Sequence, residues 1–158
     1  FALVSITDSS ANNVLIYAAA YTFASIIAFG VLIMVKQKTG SDHFDSFNGL
    51  ARQNPVAAFV LAVAMLSLAG IPLTAGFIGK YLMFLNVMQD YQMLLVAFAI
   101  LNALVGFYYY FKVIAAMYFK EGKEFRLETP VQYKIVLIVS VIITLVLGVY
   151  PAVILSLI

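Results

Sequence analysis

Residues 55–89 run almost without charge, the single exception being Lys80. As one straight helix this stretch would be roughly 50 Å long at about 1.5 Å per residue, against a bilayer hydrocarbon core of about 30 Å. It must tilt, bend or break. The segment 67–80, SLAGIPLTAGFIGK, supplies the means through Gly70, Pro72, Gly76 and Gly79. Pro72 has no N–H to give and its ring clashes with the carbonyl four residues earlier, so Leu68 loses its helical partner. The pattern predicts two half-helices joined by an unwound segment near 70–76. In lipid such a break is tolerated only where protein or a water-filled cavity satisfies the freed backbone groups. A lysine one or two turns past it reads as part of a polar path through the membrane.

Composition agrees with a membrane chain. Hydrophobic residues make up 65% of the sequence and charged residues 10%, with a mean hydropathy of +1.05, outside the range of a soluble domain. The fold class expected is all-α and integral to the membrane, with four transmembrane helices, one discontinuous, over about 14–35, 55–89, 91–119 and 131–158. Residues 1–6 read as an apolar stub and 7–13 as polar and turn-like. Phe44, Phe47 and Leu50 in the polar stretch 36–54 suggest a short interfacial helix, Pro55 suits the first turn of the next, and a tight connection is expected around Asp90. Beginning at Phe1, with no initiator Met and no basic leader, the chain reads as a piece of a longer one. Without cysteine it holds no disulfide, iron–sulfur cluster or thiolate metal site. A net charge of +2 gives no case for nucleic acid.

Charge placement predicts orientation. Lys36, Lys38 and Arg52 flank the first long loop and Lys120, Lys123, Arg126 and Lys134 the second, while Asp8 and Asp90 lie at the opposite ends. Two spans separate the long loops, so they share one side, and the positive-inside rule makes that side cytoplasmic.

Lys80 would lie about 14 Å in from Gln89, near the bilayer midplane, too deep to snorkel and costly if charged and unpaired. Two readings stand: a relay that a neighbouring charge switches between protonated and neutral, or a permanently paired structural lysine. Lys112 lies about 12 Å inward of Lys120, among Tyr108, Tyr109, Tyr110 and Tyr118, and either anchors the span at the interface or serves as a proton exit. Asn86 and Asn102 either hold water or bridge helices. His43, in a polar loop, is a weak candidate for proton entry. No phosphate loop, nucleophile triad or intramembrane carboxylate pair is present.

The segments SLAGIPLTAGFIGK (67–80) and NALVGFYYYFKVIAAMYF (102–119) resemble the carboxy-terminal part of the antiporter-like subunits of bacterial NADH-quinone oxidoreductase, respiratory complex I, and among these subunit N. The resemblance implies that the four spans are the last of a fourteen-helix subunit and the broken helix its twelfth. Lys80 would match the lysine of that helix, to which proton transfer is assigned. Some relatives carry a second proline where this chain has Leu73, which is expected to soften the break. The M-type sister carries Glu in place of Lys80, and the L-type sister continues into a lateral helix. By the same resemblance NADH, FMN, iron–sulfur clusters and quinone belong to other subunits. The partners implied are the other membrane-arm subunits, the upstream part of the same subunit and the lipid of the bacterial inner membrane. The alternatives are a subunit of a multisubunit cation/proton antiporter and a structural membrane spacer.

Overall fold

The structure is a computed structural model that describes residues 8–89, 93–122, 125–127 and 130–150. Among the described residues six α-helices follow in order: α1 (Asp8–Thr39), α2 (Leu50–Gln53), α3 (Pro55–Ala69), α4 (Ala75–Gln89), α5 (Met93–Phe119) and α6 (Val131–Val149), with a 3₁₀ turn at Phe44–Phe47 before α2. Within α1, α5 and α6 lie three stretches long and apolar enough to cross a membrane, whereas Pro55–Ala69 and Ala75–Leu85 are shorter apolar helices. At about 1.5 Å per residue α3 and α4, with 15 residues each, reach roughly 22 Å apiece. Neither spans about 30 Å of hydrocarbon alone. In series they are long enough to, as the second, discontinuous span.

Two boundaries differ from the sequence expectation. The polar residues from Asp8 onward are helical, where a turn was expected, because a helix bonds its own backbone whatever its side chains. At the other end α1 continues past Val35 to Thr39. Lys36 and Lys38 occupy its last turn, where cations complement the exposed carbonyls, and Gly40, at φ 72°, closes it by donating to the Lys36 carbonyl at 2.8 Å. The stub 1–6, the connection at Asp90 and the far end of the fourth span, 151–158, lie outside the described residues.

α3 runs through the middle, buried along most of its length and packed against α1, α5 and α6. Its alanines at 57, 58, 62, 64 and 69 allow close helix approach, which is what drives association where lipid removes the hydrophobic incentive. Ile27, Val31 and Val35 of α1, Met117 of α5 and Leu137 and Val141 of α6 complete this core. The buried Thr144 hydroxyl donates to the Ser140 carbonyl at 2.8 Å, so it takes no unsatisfied polar hydrogen into the bundle.

The two long loops are knitted together at one end of the bundle. Asn54 Nδ2 donates to the Phe125 carbonyl at 3.0 Å, Asn54 Oδ1 accepts the Leu127 N–H at 2.8 Å, and Gln53 Oε1 accepts the Phe125 N–H at 2.6 Å. Phe47 and Leu50, expected on an interfacial helix, are buried beneath them. Lys36 Nζ donates to Asp42 at 2.8 Å, and that bond holds the exposed Asp42 carboxyl below its ordinary range.

Candidate functional site

Residues 70–74 interrupt the second span, and the groups freed at the end of α3 and the start of α4 find partners across the break. Gly70, at φ 83°, takes the left-handed position that closes α3 and donates to the Ser67 carbonyl at 3.0 Å, while Ile71 N–H reaches the Leu66 carbonyl at 3.0 Å. This is a Schellman closure, which a residue with a Cβ adopts only under strain. It leaves the carbonyls of Leu68 and Ala69. Lys80 reaches back from the second turn of α4, and its Nζ donates to both, at 2.7 Å and 3.2 Å. The carbonyl that Pro72 deprives of an N–H partner is thus capped by the one lysine of the run. Lys80's side chain lies against Gly70, where an added Cβ would sit 3.0 Å from Cδ and 3.2 Å from Nζ.

The start of α4 is finished from the other side of the break. Thr74, at its N-cap position, turns its hydroxyl back to the Ile71 carbonyl at 2.7 Å. The Gly76 N–H, which an N-cap side chain ordinarily accepts, goes to the buried Ser67 Oγ at 3.1 Å. Ser67 therefore ties the two half-helices directly. The approach is so close that a Cβ on Gly76 would overlap the Ser67 carbonyl oxygen, and on the α6 side one on Gly148 would overlap the Leu73 carbonyl.

Between these residues Ile71 to Thr74 form a tight turn, closed by Thr74 N–H to the Ile71 carbonyl at 3.3 Å. Leu73 sits at φ 74°, in the third position, where a type II turn calls for glycine and Pro72 in the second is favoured. A leucine held left-handed carries about 1 kcal/mol of strain, and at 67% exposure its side chain recovers little by packing. Leu73→Gly is expected to raise stability by about 0.5–1 kcal/mol, read as a higher melting midpoint in detergent. A lower midpoint would show that the turn is not strained. A proline at this position could not take a positive φ.

Beside the break α1, α3, α4 and α5 line a partly open cavity of about 430 Å³. Small residues open it: Ala20 and Ala24 on α1, Gly76 on α4, and Ala99, Ala103 and Gly106 on α5. Its polar lining is Lys80 with Ser67, Tyr17, Tyr21, Asn102 and Tyr110. Tyr17 and Tyr21 stack at 6.2 Å between ring centroids. At about 30 Å³ per water, a space of 430 Å³ has room for about a dozen molecules, with hydroxyl, amide and ammonium groups to bond them.

Of the residues singled out from sequence, Lys80, Gly70, Pro72 and Gly76 converge on the break, and Asn102 lines the cavity beside it. Asn86 is on α4, its side chain outside the described set. His43 is exposed at the entry to the 3₁₀ turn, remote in chain order and in lining from Lys80. Lys112 is not in the cavity. Two residues beyond Tyr110 it lies about 200° further around α5, with Nζ 5.2 Å from the centroid of Phe44, which Lys120 also approaches at 5.6 Å. Tyr17 and Tyr21 were missed by the sequence reading, and Tyr110 was read as part of an interfacial belt. The available signal was a stripe: Tyr17, Ala20, Tyr21 and Ala24, then Ala99, Asn102, Ala103, Gly106 and Tyr110, are small or polar residues spaced three and four apart, which is one helix face.

Among the described residues no group of three or more His, Asp or Glu side chains stands where it could hold a metal ion.

Comparison with known proteins gives a consistent answer. The chain is 37% identical over 152 residues to NADH-quinone oxidoreductase subunit N of Flavobacterium psychrophilum, covering 96% of this chain and 33% of that protein. It is 37% identical over 153 residues to subunit N of Desulforamulus reducens, covering 94% and 31%. The chain thus spans about a third of the length of the curated relatives it matches, in their carboxy-terminal part. A chain in the structure of respiratory complex I from Thermus thermophilus with bound aureothin superposes with a TM-score of 0.81 at 28% identity, covering 92% of this chain and 34% of that one. Residues 1–106 match the family described as NADH:quinone oxidoreductase/Mrp antiporter, transmembrane, and the chain belongs to that family.

Proposed function

We propose that this chain is the carboxy-terminal membrane segment of a proton-translocating subunit of NADH-quinone oxidoreductase, and that Lys80 carries protons across the break in its second span. The observation that carries the reading is the position of Lys80 Nζ, bonded to the Leu68 and Ala69 carbonyls on the wall of a cavity into which hydroxyl and amide groups also face. A protonated lysine has three N–H donors and a neutral one has two. Two carbonyls can therefore stay capped in both states, and the third hydrogen is the one to exchange. The break need not be rebuilt each time a proton comes or goes. Discontinuous helices of transporters use their half-helix ends in this way, with freed carbonyls facing a cation.

In this reading the proton reaches Lys80 through water held by Tyr17, Tyr21, Asn102 and Tyr110. Charge changes on a lysine and a carboxylate in the upstream part of the same subunit drive its release. The free energy comes from quinone reduction, with NADH, FMN, iron–sulfur clusters and quinone held by other subunits, as suits a chain without cysteine. The other membrane-arm subunits and the lipid of the bacterial inner membrane are its partners, nucleic acid is not, and the long loops face the cytoplasm. Lys112 is assigned first to anchoring the 44–47 turn, with a role at the cytoplasmic exit as its second use. The spacer reading, with Lys80 locked in an ion pair, is disfavoured because among the described residues its nitrogen meets carbonyls and no carboxylate.

The test is proton pumping against NADH oxidation in membranes carrying the intact complex with Lys80→Met. Pumping is expected to fall at least about fivefold at undiminished assembly. Normal pumping would end the relay role, and sodium-dependent exchange without NADH oxidation would point to the antiporter branch of the family.

A further inference from the structure

At the end of the bundle where the long loops meet, a second cavity of about 360 Å³ opens between α1, α3 and α6. Its floor is apolar, formed by Met34, Val60, Leu137 and Ile138, and its mouth carries Arg126 and Lys134. A neighbouring cleft, which shares Met34 and Leu127 with it, adds Lys38 and Tyr133. The cavity thus joins apolar walls to two positive side chains, with a tyrosine in the cleft beside it, where α1 ends and α6 begins. No residue of the Lys80 cavity takes part.

Arg126 is held at this rim by construction. The residues on either side of it, Phe125 and Leu127, are the ones fixed by the three hydrogen bonds from Gln53 and Asn54. Those bonds engage both ends of the Asn54 amide and the Gln53 Oε1, and the Arg126 side chain beside them is exposed at the groove. Lys134 stands in the first turn of α6, whose N-cap is Pro130 and which has no side-chain cap, so the positive end of that helix adds to the rim. Glu121, in the same loop, lies instead beside Arg52, at 3.9 Å.

We infer that this groove binds an anionic phospholipid, with its phosphate between Arg126 and Lys134 and the upper part of one acyl chain on Met34, Val60, Leu137 and Ile138. The chemistry of the cleft matches that ligand in both halves. A guanidinium takes a phosphate with two parallel hydrogen bonds and an ammonium completes its charge, while the floor accepts methylenes. A zwitterionic lipid has the same chains but carries a choline or ethanolamine cation that the positive side chains at the mouth repel. Basic pockets between helices at one membrane face select anionic headgroups for this reason. Such a lipid would brace α6 against α1 and α3 without entering the proton path.

The test uses native membranes containing the full-length subunit, supplied with phosphatidylglycerol carrying a diazirine near the top of one acyl chain, or with the matching phosphatidylcholine probe. After irradiation the labelled peptides are mapped by mass spectrometry. Phosphatidylglycerol is expected to label the peptides of Met34, Val60 and Leu137 at least tenfold more than phosphatidylcholine does. Each Lys or Arg near an anionic headgroup accounts for about a fivefold change in binding. Labelling should therefore drop about fivefold in Arg126→Gln or Lys134→Gln and about 30-fold in the double variant, with labelling of the outer face of α5 unchanged. Equal labelling by the two lipids would overturn the inference, and this arm needs no variant to fold. So would undiminished labelling in the double variant, or no labelling of the groove, which would mean that protein covers it. Competition by millimolar inorganic phosphate would make the rim a soluble-anion site and equally defeat the lipid assignment.

Discussion

Gly76→Val is expected to remove the subunit from the membrane almost completely, whereas Gly106→Ala, in the same cavity wall, is expected to leave its abundance unchanged. At Gly76 any Cβ overlaps the Ser67 carbonyl oxygen, and the next atoms it meets are the Ser67 carbonyl carbon at 2.7 Å and Oγ at 3.0 Å. The obstacle is backbone, which cannot rotate away. The same carbonyl accepts the Gly70 N–H in the closure of α3, and the same hydroxyl accepts the Gly76 N–H. Moving Ser67 to admit the side chain therefore opens both half-helix ends together. Overpacking costs about 1–3 kcal/mol, and the Gly76 N–H left without its acceptor about 1–3 kcal/mol more. The sum, roughly 2–6 kcal/mol, is a large part of the 5–15 kcal/mol by which a folded chain is ordinarily stable. At Gly106 a Cβ would meet only Tyr110 Cε2, at 3.6 Å, an ordinary contact. Subunit abundance in membranes and the melting midpoint of the solubilised protein would check both arms. Normal accumulation of Gly76→Val would mean that the half-helices are not joined through Ser67.

The break itself was legible because its causes are local. Pro72 cannot donate, Gly70 can go left-handed, and a run of this length cannot cross a bilayer straight. The same accounting identified Leu68 as the carbonyl that loses a partner. What replaced that partner was not legible, because the answer lies twelve residues further along the chain, and a side chain reaching backwards leaves no mark in hydrophobic periodicity. Ser67 shows the same limit: in sequence it is one small polar residue in an apolar helix, and only the return of α4 makes it a cap. The tyrosines failed for another reason. In a membrane chain an aromatic residue fits a packed core, an interfacial belt or a cavity equally well, and the triple Tyr108, Tyr109, Tyr110 looked like one belt. A helix turns by about 100° per residue, and that separates them. Tyr108 and Tyr109 are 63% and 61% exposed on the outside, whereas Tyr110 is turned into the cavity. Counting spans fared well for the same local reason. It put the two long loops on one side, and Gln53 and Asn54 bond directly to the loop that follows α5.

Arginine at position 80 should separate the two things that Lys80 does. One is structural: its nitrogen caps the Leu68 and Ala69 carbonyls. The other is the proposed exchange of a proton. Lys80→Met removes both, leaving two acceptors at the cavity wall at a cost of about 1–3 kcal/mol. Lys80→Arg keeps the first, because a guanidinium has five N–H donors and the 430 Å³ cavity has room for its larger head. It loses the second, because arginine stays protonated at any pH a protein survives. If Lys80 is a relay, Lys80→Arg should melt near the unsubstituted protein and above Lys80→Met, yet pump as poorly as Lys80→Met, at least about fivefold below normal. If Lys80 only holds the break together, pumping should follow stability, and Lys80→Arg should pump at close to the full rate. The measurement is the ratio of protons moved to NADH oxidised, taken beside the melting midpoint for the same three preparations. Pumping by Lys80→Arg would sink the relay, because a group that never gives up its proton cannot pass one on.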